Sequence, residues 1–277
     1  MRRLILHIGL EKTGTTSFQA FCVDNRRALA ARGALYPANA DCFLRLNHAP
    51  LAASYFSAAQ AETFLIAGRR AGRVGAISAL RNEIEAADAG LTLISAEHFS
   101  SRFDAARVAQ LGADLAGFDV SIAVVVRHPL ARARAAYATT VASGRAITLD
   151  AFVDELCQPT NPYLRCRDTL EVWTNVFGRE RMIVISYREG ADIVATLAAR
   201  VLPDIAVSTG AYMRNVSPSG ARTERRRRAN AGEGLWARLL APAPAAFSPD
   251  QVTRIVASTS ADLAWLDAAH GITLSAI

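Results

Sequence analysis

The chain has 277 residues, 51% of them hydrophobic and 20% charged, with a formal net charge of +6. That length and apolar fraction suit one folded domain with a sizeable buried core. The mild basicity suits anionic ligands, but the long basic stripe of a nucleic-acid binder is missing, and no apolar run is long enough to cross a bilayer.

The first strand is predicted over residues 3–9, in Leu4-Ile5-Leu6. This run stops at Glu11-Lys12, too soon for a signal peptide, and no small-residue cleavage site follows. Lys12 is the chain's only lysine among 31 Lys and Arg. It sits in His7-Ile8-Gly9-Leu10-Glu11-Lys12-Thr13-Gly14-Thr15-Thr16-Ser17. An ammonium is a compact point charge that fits beside a phosphate or sulfate where a planar guanidinium would not. The glycines permit close backbone approach, and the hydroxyls of Thr13, Thr15, Thr16 and Ser17 add donors. A helix predicted over 15–32, ending near Gly33, turns its free N–H groups to the same spot. The loop therefore reads as an anion cradle. It is not a Walker A loop, because Lys12 precedes Gly14 and Thr15 stands where that motif has its lysine.

Residues 57–87 read as helical, with interruptions near Gly68, Gly72 and Gly75. A strand over 91–95 runs into Ser95-Ala96-Glu97-His98, and helix 104–116 follows. The strand 120–126 ends in Arg127-His128-Pro129 and opens a helix over 129–143 that carries Arg132, Arg134, Ala135 and Tyr137. A kinase needs an acid at such a strand end to hold Mg²⁺, so Arg127 favours a second, metal-free anion site. Helices over 148–156, 163–177 and 190–201 flank a strand over 181–186. Arg225 to Arg228 read as a solvated helix face, with Arg222 or part of the run as a second choice for covering an anion. Ala241-Pro242-Ala243-Pro244 is a loop. Ser248-Pro249-Asp250 starts a last helix that runs to about His270 and stops at Gly271. Cys22, Cys42, Cys157 and Cys166 lack C-x-x-C spacing and read as reduced thiols of a cytoplasmic protein. Strands alternating with helices predict an α/β fold with a parallel sheet, and no domain boundary interrupts residues 1–277.

The order K-T-G-T-T resembles the 5′-phosphosulfate loop of sulfotransferases that use 3′-phosphoadenosine 5′-phosphosulfate (PAPS). The longer string HIGLEKTGTTSFQ is similar to the start of the bacterial carbohydrate-type members. VVVRHPLARARAAY resembles their 3′-phosphate motif, R-x-P-x-x-x-x-x-S-x-Y, through Arg127, Pro129 and Tyr137; Ala135 replaces the serine. Further likeness lies in Asn25-Arg26-Arg27 through Tyr36-Pro37, in Asn47-His48 to Ala52, in Trp173 to Gly178 and in Arg214-Asn215-Val216-Ser217.

The resemblance implies a P-loop-like three-layer sandwich, with about four or five central parallel strands flanked by helices. It implies that Lys12, Thr13, Gly14, Thr15, Thr16 and Ser17 hold the phosphosulfate. Arg127 would hold the 3′-phosphate, with Ala135, Arg214 and Ser217 as further candidates around it. The base that deprotonates the acceptor hydroxyl would be Glu97 first, His98 second and His48 third; His7 reads as a buried orienting histidine. The implied reaction moves a sulfuryl group from PAPS to a hydroxyl of a carbohydrate or glycolipid, leaves adenosine 3′,5′-bisphosphate (PAP), and needs no metal. The partners expected are a small-molecule or glycan acceptor and no nucleic acid, with transient membrane contact for a glycolipid. Two alternatives stand: a P-loop kinase or other phosphoryl transferase, and a relative that binds PAP without turnover.

Overall fold

Five short strands set the position of everything else: β1 (Arg3–His7), β2 (Ala34–Leu35), β3 (Leu91–Ser95), β4 (Asp119–Val126) and β5 (Met182–Ser186). They form one all-parallel sheet in the order β2-β3-β1-β4-β5. The computed structural model describes residues 1–64, 66, 68–188, 190–202, 212, 220–235 and 246–275. The α/β class and the central parallel sheet flanked by helices are as the sequence predicts. Leu4, Ile5 and Leu6 are all buried, as a strand covered on both faces requires. Each such side chain contributes roughly 1.5–3 kcal/mol by leaving water.

One face of the sheet packs Ile5, Leu93, Val125 and Ile185 against Phe18 and Phe21 of the helix Thr15–Asp24 and Leu197 and Val201 of the helix Ile193–Val201. Leu4, Leu6, Ile94 and Val124 alternate with these and point to the opposite face. Both neighbours of β1 lie in register, His7 beside Ser95 on β3 and Ala123 on β4. The chain winds to one side of β1 through β2 and β3 and then crosses to the other side at β4. The C-terminal end of β1 is thus a topological switch point, where open α/β sheets bind ligands.

Several elements differ from the sequence expectation. The helix expected over 15–32 breaks at Asn25, whose side chain bonds back to the Phe21 carbonyl at 2.9 Å, and resumes as Arg26–Ala30. The segment 57–87 divides into Ala58–Thr63 and Arg73–Ala87. Strand β2 was not expected; two residues make too short a run to stand out. The last helix, Pro249–His270, is as expected: Ser248 caps it in a reciprocal box with Gln251, and Gly271 ends it at φ 64°. The loop Ala241 to Pro244 lies outside the described residues.

Although the sequence offers no boundary, the chain groups into two compact units that interleave along it. One comprises Met1–Val126 and the stretch opening at Thr169, and holds the sheet. The other comprises Arg127–Asp168 and the C-terminal stretch. Its described elements are all helical: Pro129–Ala142, Leu149–Leu156, the start of Cys166–Phe177, Gly220–Asn230 and Pro249–His270. Leu130, Tyr137, Phe152, Leu156 and Ile255 form its core. Of the three crossings, one falls at a strand–helix junction and one inside a continuous helix, so no linker composition marks these two; the third lies outside the described residues.

The arginine run lies on Gly220–Asn230 and is not simply solvated. Glu224 takes Arg227 at 2.7 Å and Arg228 at 3.1 Å, all three mostly buried. Arg226 donates to the carbonyl of Ala142, and Asn230 to those of Val141 and Arg145. These bonds dock the helix on Pro129–Ala142. The hydrogen bond from Arg227 holds the Glu224 carboxyl below its usual range, with Arg228 adding to the effect. A depressed folded pKa gives stability that is present above the unfolded carboxylate range and lost as pH falls through the folded value. Glu224→Gln should therefore lower stability at pH 7 by about 1–2 kcal/mol, between the surface and buried ion-pair ranges. Thermal melts at pH 7 and pH 3 check this: the gap between variant and wild type should close at the lower pH. An unchanged gap would contradict it.

Candidate active site

The loop from β1 to the helix Thr15–Asp24 turns through three left-handed positions, Gly9 at φ 27°, Lys12 at φ 67° and Gly14 at φ 86°. Two of these admit only glycine. A Cβ on Gly14 would lie 2.6 Å from Ile193 Cγ2, and one on Gly9 would lie 2.6 Å from Thr15 Oγ1 and 3.3 Å from His7 Nε2. Lys12 keeps a left-handed turn that costs a non-glycine residue roughly 1–2 kcal/mol. Strain of this kind persists where the surroundings over-determine it, and it clusters at ligand sites. The left-handed Gly14 opens the helix without a side-chain cap, which leaves its first N–H groups facing the loop. Thr13 is buried and its hydroxyl donates to the Leu10 carbonyl at 2.5 Å. Its proton is thus committed within the loop. Thr15 Oγ1 is buried and has no hydrogen-bond partner among the described residues. The loop is pinned to the β3 end by Ser100, whose hydroxyl donates to the Gly9 carbonyl at 2.7 Å, and by Ala96 N–H, which donates to the His7 carbonyl at 3.1 Å.

Those bonds bring the turn after β3 beside the loop, and with it Glu97. Burial pushes the Glu97 carboxyl above its ordinary range; Glu11 adds to the rise, and Lys12 and Arg102 oppose it. Glu97 makes no ion pair among the described residues. Arg102, the other cation whose charge reaches Glu97, donates to the carbonyls of Phe64 and Ser101. Glu97 and Lys12 are therefore brought together, with Glu11 as a third charge that the sequence reading left out. Its only signal there was adjacency to Lys12.

His98 follows Glu97 on the short helix His98–Arg102, and burial holds its imidazole down to about 4. His48 stands apart from both. It is fully enclosed, it accepts the Ser95 N–H at Nδ1 over 3.0 Å, and burial lowers it to about 3. A ring sealed in this way is neutral and cannot reach an acceptor hydroxyl, so its place is structural. Tyr36 and Phe43 pack edge-on against it at 4.8 and 5.3 Å. His7 is likewise fully buried; its Nδ1 lies 2.8 Å from Ser95 Oγ, and burial lowers it to about 4.

The helical unit carries the second motif. Arg127 is half-buried and directly precedes the helix Pro129–Ala142, which His128 caps by accepting the Leu130 N–H at 3.3 Å. Ala135 is buried on that helix, and Arg132 is buried with its guanidinium 4.8 Å from the Tyr163 ring centre. Arg134 is exposed. The Tyr137 hydroxyl donates to the Ile147 carbonyl at 3.3 Å and its ring packs on Phe152 at 5.3 Å, so it serves this unit's core. Arg214 and Ser217 lie outside the described residues. Among the described residues no group of three or more His, Cys, Asp or Glu side chains is placed to hold a metal, and no helix is long and apolar enough to cross a membrane.

No protein-family model and no curated protein matches the chain. A solved structure does: a crystal structure of a sulfotransferase from Alicyclobacillus acidocaldarius. It superposes with a TM-score of 0.53 at 17% identity, over 99% of this chain and 98% of that one. The chain is therefore similar in fold to that sulfotransferase, along the whole length of both.

Proposed function

We propose that this chain is a PAPS-dependent sulfotransferase whose acceptor is a hydroxyl of a carbohydrate or glycolipid. The observation that carries the reading is the meeting of the chain's only lysine with a half-buried carboxylate, Glu97, that makes no ion pair among the described residues, at the switch point of a parallel sheet. The fold shared with a sulfotransferase supports it. The residues fit the 5′ end of such a ligand: a cradle at Gly9 and Gly14 that a Cβ would fill, a buried Thr15 hydroxyl with no partner among the described residues, and open helix N–H groups.

Bound PAPS supplies an activated sulfuryl group and a phosphate leaving group. Lys12, the Thr15 hydroxyl and the loop N–H groups stand ready to stabilise charge growing on the phosphate side. Glu97 takes the proton from the acceptor hydroxyl, and Lys12 beside it keeps enough of the carboxylate ionised to do so. Thr13 contributes through its backbone. Arg127 is assigned to the 3′-phosphate on its motif, and Ala135 leaves that contact without the hydroxyl the motif provides. The acceptor is a small molecule or glycan rather than a nucleic acid, and the setting is the cytoplasm.

PAP should stabilise the protein by mass action, by about 2.7 kcal/mol at a hundred times its Kd, and EDTA should leave this unchanged. A melting curve that shifts with Mg-ATP and not with PAP would favour a phosphoryl transferase. Labelled PAPS with a panel of sugar acceptors tests turnover; binding of PAP without turnover would favour a non-catalytic relative.

Glu97 must be deprotonated to act, so turnover should rise with pH through an apparent pKa above the ordinary carboxylate range. Glu97→Gln should cut kcat by about 10²–10⁴, remove that limb of the profile, and leave PAP affinity unchanged. Turnover near the wild-type rate would move the base to His98.

A further inference from the structure

Beneath the loop lies a chain of polar groups, buried at His7, Gln19 and Ser95 and half-buried at Asn47, whose donor directions can be followed one after another. The Ala49 N–H can only donate, and it donates to Asn47 Oδ1 at 3.0 Å. That leaves the Asn47 amide NH₂ facing Gln19 Oε1 at 3.5 Å. With its oxygen so engaged, Gln19 presents Nε2 to Ser95 Oγ at 3.1 Å. Ser95 therefore accepts from Gln19, and its single proton is assigned to His7 Nδ1 at 2.8 Å rather than to the Tyr36 hydroxyl, the other polar group beside it, because of these two His7 alone meets hydrogen-bond geometry. An imidazole that accepts at Nδ1 and stays neutral carries its proton on Nε2. Burial keeps it neutral, since it lowers the ring to about 4.

His7 Nε2 and Thr15 Oγ1 both border the point above Gly9 that a Cβ would fill, at 3.3 and 2.6 Å from it. Both are buried, and neither has a hydrogen-bond partner among the described residues. His7 cannot swing away: its ring packs edge-on against Phe18 at 5.3 Å while Ser95 holds the other nitrogen.

We propose that His7 is a positioning residue of the anion-binding loop, locked as its Nε2–H tautomer and directed across Gly9 at the Thr15 hydroxyl. On anion binding, Thr15 turns to take the His7 N–H at its oxygen, a bond not made in this structure, and directs its own proton to the anion. Gly9 is glycine because anything larger would separate the two. Gln19, Asn47 and Ser95 transmit this orientation from the turn before the helix Ala49–Ala53. The inference rests on the loop being an anion site, as proposed above, and its test separates the two.

The tautomer is read first, without ligand, by long-range ¹H–¹⁵N spectra of the full chain labelled at histidine. His7 should be Nε2–H at pH 7, and Ser95→Ala should disturb that signature. PAP affinity is then measured by calorimetry for His7→Phe, Thr15→Val and the double variant, after melting curves establish that each folds. Each single change should weaken PAP by about tenfold, and the double should be no weaker than the worse single, because both remove one linked donor. His7→Gln, which places an amide N–H near the Nε2 position, should recover most of the loss, and His7→Asn should not. An Nδ1–H tautomer, losses that multiply to about a hundredfold, or a His7→Phe affinity equal to wild type would overturn the inference. If His7→Phe fails to fold, the Gln and Asn pair decides in the same way. Should wild type fail to bind PAP, the sulfotransferase reading falls, and the same cycle read with inorganic sulfate tests the inference alone. Failure to bind either anion overturns both.

Discussion

The structure depends on one backbone constraint: leaving β1, the chain must fold back within seven residues to start a helix over the strand's own C-terminal end. That tight return forces Gly9, Lys12 and Gly14 into left-handed conformations. It also presses Gly14 against Ile193 and Thr15 against Gly9, so the loop is packed from below as well as bent. A turn held in this way needs no ligand to keep its shape. Its preorganisation is what makes the N–H groups and the single ammonium useful to an anion.

The second consequence concerns charge. Glu97 is half-buried and has no ion partner among the described residues; desolvation and Glu11 raise its pKa, while Lys12 and Arg102 lower it. A carboxylate placed so costs stability. Arg102, close by, spends its guanidinium on backbone carbonyls rather than on Glu97. Glu224, by contrast, is paired with Arg227 and Arg228. The contrast supports a chemical role for Glu97 and a structural one for Glu224.

Much of this was legible in the sequence, for physical reasons that differ by element. β1, β3, β4 and β5 stand out because each is a short run rich in Leu, Ile or Val, as strands covered on both faces require. The last helix stands out because Ser248, Pro249, Gln251 and Gly271 are each the residue its ends require. Lys12 stands out by scarcity. What was not legible depends on neighbours far apart in the chain. His7, Gln19, Asn47 and Ser95 form one polar chain only because β1, the first helix and β3 bring them together. The enclosure of His48 could not be read from its own segment, and the same holds for the ion pairs that turn an apparently solvated arginine run into a docked helix. The division into two units leaves no trace at Val126–Arg127 or Asp168–Thr169 because the chain crosses there without a linker.

The central claim is that the loop's ammonium, by its shape as well as its charge, holds the 5′ end of the donor. Turnover of labelled PAPS by Lys12→Arg, compared with wild type and Lys12→Ala, tests it most directly. Loss of one preorganised donor of this kind costs roughly 10²–10³ in rate. The account predicts such a loss for alanine and little recovery for arginine, whose planar fork does not fit a loop built around a point charge. A fully active Lys12→Arg enzyme would contradict it.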